Sequence, residues 1–363
     1  MALTSAVHRL PLAERLAATV LAALAVACAA PRGEPAAPAV APGRAAAAPS
    51  VPAAPTARVA LKTAYTTASA TMSPIWLAVE AGGFAEQGLD AELTLVGPGA
   101  AILGALTSEE TPIVMAGANQ VLEANLQGGQ YVILGSAVPY MTTSIFVVPT
   151  VQRPEDLRGL AVGVSNFGAT THVALKVALE HWGLEEGRDV TVVRSGGTPE
   201  TIAAMQSGAI AGGSFGAPQS FLAHDLGFRE LIDVAPLRFE LGSAAVISTR
   251  RYVAEHPDMV ERYLKALMLG VQAYRTRKDL AVDAIMRYGR IDDRPSAERT
   301  WEYFLDKFSA DLAMSPRAVE NNLRMMADTQ PGALSASTDQ FLDGSFVERI
   351  RASGYLEQIA RGQ

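Results

Sequence analysis

The hydroxyls of Ser165, Thr170 and Thr171 crowd one glycine-loosened turn, GVSNFGATTH (163–172), between the apolar run Leu160-Ala161-Val162 and the helix-like stretch Val173 to Trp182. Where a strand hands over to a helix, the first helical N–H groups lack intrahelical partners and carry a partial positive charge. Hydroxyl side chains beside such a helix start form a cradle for a carboxylate, sulfonate or phosphate. Serine and threonine are also ordinary helix caps, so a single turn of this kind is explained by capping alone. Here the pattern recurs in YTTASATMSP (65–74), AGANQ (116–120) and RSGGTPE (194–200), each after a strand-like run. In an open parallel sheet, ligands bind where the loops at the carboxyl ends of the strands gather. Small-molecule pockets also need apolar or aromatic walls, and Tyr65, Trp76, Phe167 and Phe215 flank these turns, although Trp76 fits the core equally well. Arg194 and Arg238 are candidates for pairing with an anion, and each also reads as a solvated strand-end charge.

Catalytic chemistry finds little support. His8, His172, His181, His224 and His256 are scattered, with no His-Glu-x-x-His pair to set two metal ligands on one helical face. In GVSNFG the second glycine falls one residue late for a nucleophile elbow. Cys28 is the sole cysteine, and if it is consumed by lipid, no thiol remains for disulfides, cysteine-ligated metals or cysteine catalysis. The expectation is a protein that is not an enzyme and has no metal and no cofactor.

The elements that must hold the polar turns are short and alternate. RVALKTAY, DAELTLV, PIVMAG and YVILGSAV read as strands. Helices are expected after Pro74, stopping at Gly82-Gly83, over Ala100 to Ser108 and over Asn119 to Leu126. TSIFVVPT leads into a second set, with strands LAVGVS, DVTVVRSG, AGGSFG and RELIDVA and helices Thr171 to Trp182 and Pro199 to Ser207. This predicts α/β organisation with parallel strands. SAAVISTRR looks like a returning strand. A long helical region, Val253 to Tyr288, follows, then helices Pro295 to Phe308 and Pro316 to Asp328 and amphipathic FVERIRASGYLEQI. Two α/β units with a helical tail suggest that the tail packs back on the first unit and leaves a cleft between lobes.

Length agrees, since 363 residues exceed the usual single-domain size of about 100 to 200. A net charge of -7, with no basic block, argues against a nucleic-acid or anionic-membrane surface. Arg9 and Arg15 precede the apolar run Leu16 to Ala27, too short to span a bilayer and of the length of a secretory signal. That run ends in LAVAC, which resembles a bacterial lipobox with Cys28 as the lipidated residue; Ala25 stands where the pattern usually has a larger aliphatic residue. The Ala/Pro-rich stretch that follows has little to bury and reads as an extended tether. The expected organisation is a signal peptide (1–27), a tether (28–57), a first lobe (58–144), a second lobe (145–242) and a return to the first lobe with the C-terminal helices (243–363).

The segments 65–96, 103–117, RPEDLRGLAVGVSNFGATTHVALKVALEHWGL (153–184), GGTPETIAAMQSGAIAGG (196–213) and 248–274 together resemble the nitrate, sulfonate and taurine type of substrate-binding protein of ABC importers, the SsuA/THI5-like family that also includes binders of thiamine precursors. The resemblance runs from Arg58 to about Ile359. It implies a type II periplasmic-binding-protein fold, in which two α/β lobes are joined by a two-strand hinge and close on ligand, with a C-terminal helical region. The family's ligand contacts fall on Thr67, Ser69, Asn119, Thr142, Ser165, Ala169, Thr170, Thr171, Phe215 and Gln219, to which the residue reading adds Tyr65, Phe167 and Arg194. Many relatives read Gly-Ser-Ser or Gly-Ser-Thr where this chain has Gly168-Ala169-Thr170, so one hydroxyl is missing. The implied function is capture of a small organic anion by a lipid-anchored, extracytoplasmic, monomeric receptor that delivers it to an ABC permease and its ATPase. The alternatives are a receptor for a neutral heteroaromatic such as a thiamine-pyrimidine precursor, or a thiamine-pyrimidine synthase-like enzyme, whose cysteine-rich signature a chain with one cysteine lacks.

Overall fold

A computed structural model describes residues 58–97, 99–327 and 330–362. The expected signal peptide, Cys28 and tether lie outside these residues.

The first sheet starts with β1 (Val59–Tyr65), whose alternation buries Leu61 and Thr63 before the strand becomes fully covered at Ala64 and Tyr65. It pairs in parallel with β2 (Leu89–Leu95) along its whole length and with β3 (Ile113–Ala116). The connections are helical: α1 (Ser73–Glu80), α2 (Gly83–Glu86), α3 (Ala100–Thr107) and, after β3, α4 (Ala118–Leu126), leading to β4 (Tyr131–Ser136). Gly82 takes the left-handed conformation (φ 81°) that breaks α1 from α2, a place where glycine pays no steric cost.

The second sheet holds β5 (Thr143–Val147), β6 (Ala161–Val164), β7 (Thr191–Arg194), β8 (Gly212–Gly216) and β9 (Arg229–Asp233). Its helices are α5 (Thr170–Trp182), α6 (Thr198–Gln206) and α7 (Gln219–Asp225), the last not expected from the sequence because Gly216 and Pro218 mask so short a helix. The chain then returns to the first sheet as β10 (Ala245–Thr249).

The strand orders are β2-β1-β3-β10-β4 and β7-β6-β8-β5-β9. Each sheet is parallel except for one strand. β10 runs antiparallel between β3 and β4, and β5 runs antiparallel between β8 and β9. The expectation of parallel strands therefore holds in both sheets except at β10 and β5, for one reason: each directly follows a passage from the other sheet and so enters from the end opposite to that of its neighbours.

The two passages are zipped together. Met141 N–H donates to Phe239 O and Leu241 N–H to Pro139 O, both at 2.9 Å, around an antiparallel bridge between Tyr140 and Glu240. Paired extended segments of this kind can bend by small dihedral changes without breaking either sheet.

The tail packs on the first sheet. The expected single helical region is three helices, α8 (Arg250–Glu255), α9 (Pro257–Thr276) and α10 (Lys278–Gly289). Breaks fall at His256, which precedes a proline and so is pushed out of the helical region, and at Arg277. α9 lies hard against α1: a Cβ on Gly270 would stand 2.1 Å from Pro74 O. Tyr263 of α9 reaches the sheet, its hydroxyl 2.9 Å from that of Thr63. Then follow α11 (Arg294–Phe304), α12 (Pro316–Met326), α13 (Ser345–Ala352) and α14 (Tyr355–Ala360). No helix among the described residues is long and apolar enough to cross a membrane.

Candidate functional site

The turn between β6 and α5 is built from its own side chains. Ser165 N–H donates to Thr171 Oγ1 at 3.0 Å, and the two hydroxyls are 2.8 Å apart. Gly168 turns with φ 77° and donates its N–H to His172 Nδ1 at 2.9 Å. The cap position of α5 is Ala169, which supplies no side-chain hydrogen bond. Ser165 and Thr171 thus close the turn, while the helix start itself is left without a side-chain acceptor.

The same holds on the first lobe. α4 starts after Gly117, again with no side-chain cap, and Ala118 N–H is taken by Gly242 O of the return passage at 3.1 Å. The two helix starts face one interlobe cavity of about 40 Å³, walled by Gly117, Asn119, Gly168, Thr170, Ser243 and Asn322. At ~10–15 Å³ of probe-occupied space for each water, this holds roughly three waters. Two positive helix ends from different lobes aimed at one small space favour a negative charge there, each by about 0.3–1 kcal/mol or more when desolvated. The cavity is too tight for a ligand of several heavy atoms unless the lobes part.

Asn119 and Thr170 are the anticipated residues that line it. Ser243 and Asn322 were not anticipated. Asn322 left a trace in the sequence, since it sits on the buried face of α12 among Ala318, Val319 and Leu323, where a polar residue needs a purpose; its amide donates to Leu241 O at 2.7 Å. Ser243, in an ordinary loop, left none.

Other anticipated residues lie elsewhere. Tyr65 is buried, edge-on to Trp76 at 5.7 Å, and Trp76 stacks on Tyr288 at 5.5 Å. Burial raises the Tyr65 pKa, against a smaller opposing pull from Arg290. Arg290 itself follows α10, beside the first loop, where the Cβ position of Gly289 is 3.6 Å from Ala68 O. Thr67 is exposed, and Ser69 accepts from Thr71 N–H at 3.5 Å. Thr142 is buried just before β5, its carbonyl accepting from the Tyr303 hydroxyl at 3.5 Å. Phe215 packs on Phe146 inside the second lobe at 6.0 Å. Phe167 is 57 % exposed and edge-on to His172. Arg194 and Gln219 are exposed at the end of β7 and the start of α7. The Arg238 guanidinium lies 4.4 Å over the Tyr140 ring at the hinge.

Further contacts join the lobes. Arg299 of α11 pairs with Asp225 of α7 at 2.9 Å and covers the Phe221 ring at 4.6 Å. Its hydrogen bond holds the Asp225 carboxyl below the usual carboxylate value. Tyr303 donates to Asp233 at 3.3 Å; burial, then that carboxylate, pushes its hydroxyl pKa up strongly. Arg324 of α12 approaches Glu180 of α5 at 3.8 Å. A larger hollow of about 450 Å³, between Lys62, Glu92, Thr94 and α3, lies on one lobe only and gathers none of the strand-end turns. Among the described residues, no group of three or more His, Cys, Asp or Glu could hold a metal ion.

The family model described as NMT1/THI5 like matches residues 69–279. The taurine-binding periplasmic protein of Escherichia coli (strain K12) is 31% identical over 185 residues, which are 50% of this chain and 57% of that protein; the match thus spans little more than half of the curated relative. Among solved structures, the periplasmic aliphatic sulphonate binding protein SsuA from Escherichia coli superposes with a TM-score of 0.61 at 18% identity, covering 69% of this chain and 85% of that one. The alkanesulfonate-binding protein SsuA from Xanthomonas axonopodis pv. citri bound to MOPS gives 0.60 at 18% identity, covering 77% and 95%. At these identities the structural likeness speaks for the fold, two α/β lobes of the periplasmic-binding-protein type.

Proposed function

The chain belongs to the NMT1/THI5-like family, and from that premise we propose that it is the extracytoplasmic solute receptor of an ABC importer, taking a small organic anion between its lobes. The observation that carries this reading is the meeting of two helix starts without side-chain caps, α4 and α5, at one interlobe cavity. Asn119 and Thr170 supply polar side chains from opposite lobes, so an anion that enters when the lobes part is bound more tightly once they close back far enough for both to touch it. Ligand binding then shifts the population toward closure by this difference in affinity. The paired passages at Tyr140 and Glu240 form the hinge, and no covalent step is required.

We assign residues 58–144 and 243–363 to one lobe and 145–242 to the other; the sheet to which each strand belongs supports this division, except that β5 begins at Thr143 and so moves the first crossing two residues earlier. A sulfonate or carboxylate suits the site, and the taurine-binding relative supports the sulfonate. A neutral heteroaromatic is less well served, because Tyr65, Trp76 and Phe215 are packed into cores and do not wall the cavity. The partners of this reading are a permease with its ATPase. The chain acts as a monomer held to the membrane by lipid at Cys28, with no nucleic acid and no cofactor involved.

A thermal-shift screen of residues 58–363 against taurine, alkanesulfonates, nitrate, carboxylates and aminopyrimidines tests the reading. A ligand at about a hundred times its Kd stabilises the native state by ~2.7 kcal/mol. Stabilisation by anions is expected; stabilisation by aminopyrimidines alone would contradict it.

A further inference from the structure

His172 is buried and has both ring nitrogens committed. Nδ1 accepts the Gly168 N–H at 2.9 Å, and Nε2 stands 3.0 Å from each carboxylate oxygen of Glu186. An acceptor at Nδ1 and a carboxylate at Nε2 together select one tautomer, with the proton on Nε2. Gly168 is both the left-handed residue of the turn and a wall of the interlobe cavity, two positions before Thr170. One imidazole therefore anchors the backbone of the anion-facing turn to Glu186, which lies beyond the far end of α5 in the loop before β7.

We propose that His172 is a positioning residue: its bare Nδ1 holds the Gly168 peptide so that the start of α5 stays aimed at the ligand, and Glu186 fixes the tautomer that makes this possible. The inference rests on the reading of the cavity as the ligand site. It assigns His172 no contact with ligand. In place of the side-chain cap that Ala169 cannot provide, the helix start is oriented by a ring further along its own first turn.

The variants separate this role from simple packing. An asparagine oxygen can stand near the Nδ1 position and keep the acceptor, whereas glutamine places its amide near Nε2 and leaves the Gly168 N–H unpaired. His172→Gln and His172→Ala are expected to weaken taurine binding by roughly tenfold, about what one lost hydrogen bond costs, and His172→Asn by clearly less. In the ligand-free protein, Gly168 amide exchange measured by NMR should accelerate in His172→Gln and stay near the wild-type rate in His172→Asn. Equal losses in all three variants would mean bulk packing and would overturn the proposal, as would wild-type binding and exchange in His172→Gln. If taurine and the other anions fail to bind the wild type, the anion reading falls, while the exchange of the Gly168 amide still decides whether His172 holds the turn.

Discussion

Asn119 and Thr170, one at the start of α4 in the first lobe and one at the start of α5 in the second, wall the same interlobe cavity. On the proposed reading neither lobe alone completes the site, so affinity and closure are coupled.

The first prediction concerns two of the turn's three hydroxyls, those of Thr170 and Thr171. Thr170→Val should raise the Kd for taurine by about ten- to a hundredfold, the usual loss for a hydrogen bond to a charged group, with the melting temperature nearly unchanged. Thr171→Val should instead lower the melting temperature, because that hydroxyl closes the turn with Ser165. Calorimetric titration and thermal unfolding of both variants read the split.

The second concerns the clasp between α11 and α7. Exposed ion pairs contribute little to stability, so Arg299→Ala should barely change the melting temperature. Because Arg299 joins the lobes through Asp225 and Phe221, the ligand-free protein should nevertheless populate more open forms, seen as a larger radius of gyration in small-angle scattering. An unchanged radius would remove the clasp from the closure equilibrium.

The third is a pH dependence with a definite sign. Arg299 depresses the Asp225 carboxyl below its ordinary value of 3.8. A depressed acid contributes stability above its unfolded value and loses it as pH falls through the folded one. The small difference in unfolding free energy between wild type and Asp225→Asn should therefore shrink as pH falls through and below the ordinary carboxylate value. A difference that grows on acidification would contradict the assignment.

The fourth tests the packing that supports the first lobe. Gly270→Ala would drive a methyl into Pro74 O and Ala78 N. Overpacking of this kind costs about 1–3 kcal/mol or more, and chemical denaturation should register it.

How much of this was legible in the sequence depended on locality. β1 and α5 announced themselves through alternation, glycines and periodicity, because these signals are set by neighbours along the chain. The antiparallel entry of β5 and β10 was not visible, since it follows from where the chain crosses between sheets. The turn at Ser165 was found from its composition, yet its division into closing hydroxyls, Ser165 and Thr171, and a cavity-facing one, Thr170, depends on a hydrogen bond that composition does not encode. His172 is the sharpest case: a lone histidine in a first helical turn reads as a surface residue or a hydrogen-bond donor, and its contact with Glu186 depends on a residue beyond α5 that local sequence does not place beside it. Phe215 and Tyr65 flank the right turns in sequence, but strand alternation points them into cores.

A crystal structure of residues 58–363 grown with taurine tests the central claim most directly. The account predicts sulfonate oxygens between the two helix starts, at hydrogen-bond distances of about 2.7–3.1 Å from Asn119 and Thr170. Taurine in the hollow beside Lys62, or bound to one lobe with no contact to both helix starts, would contradict it.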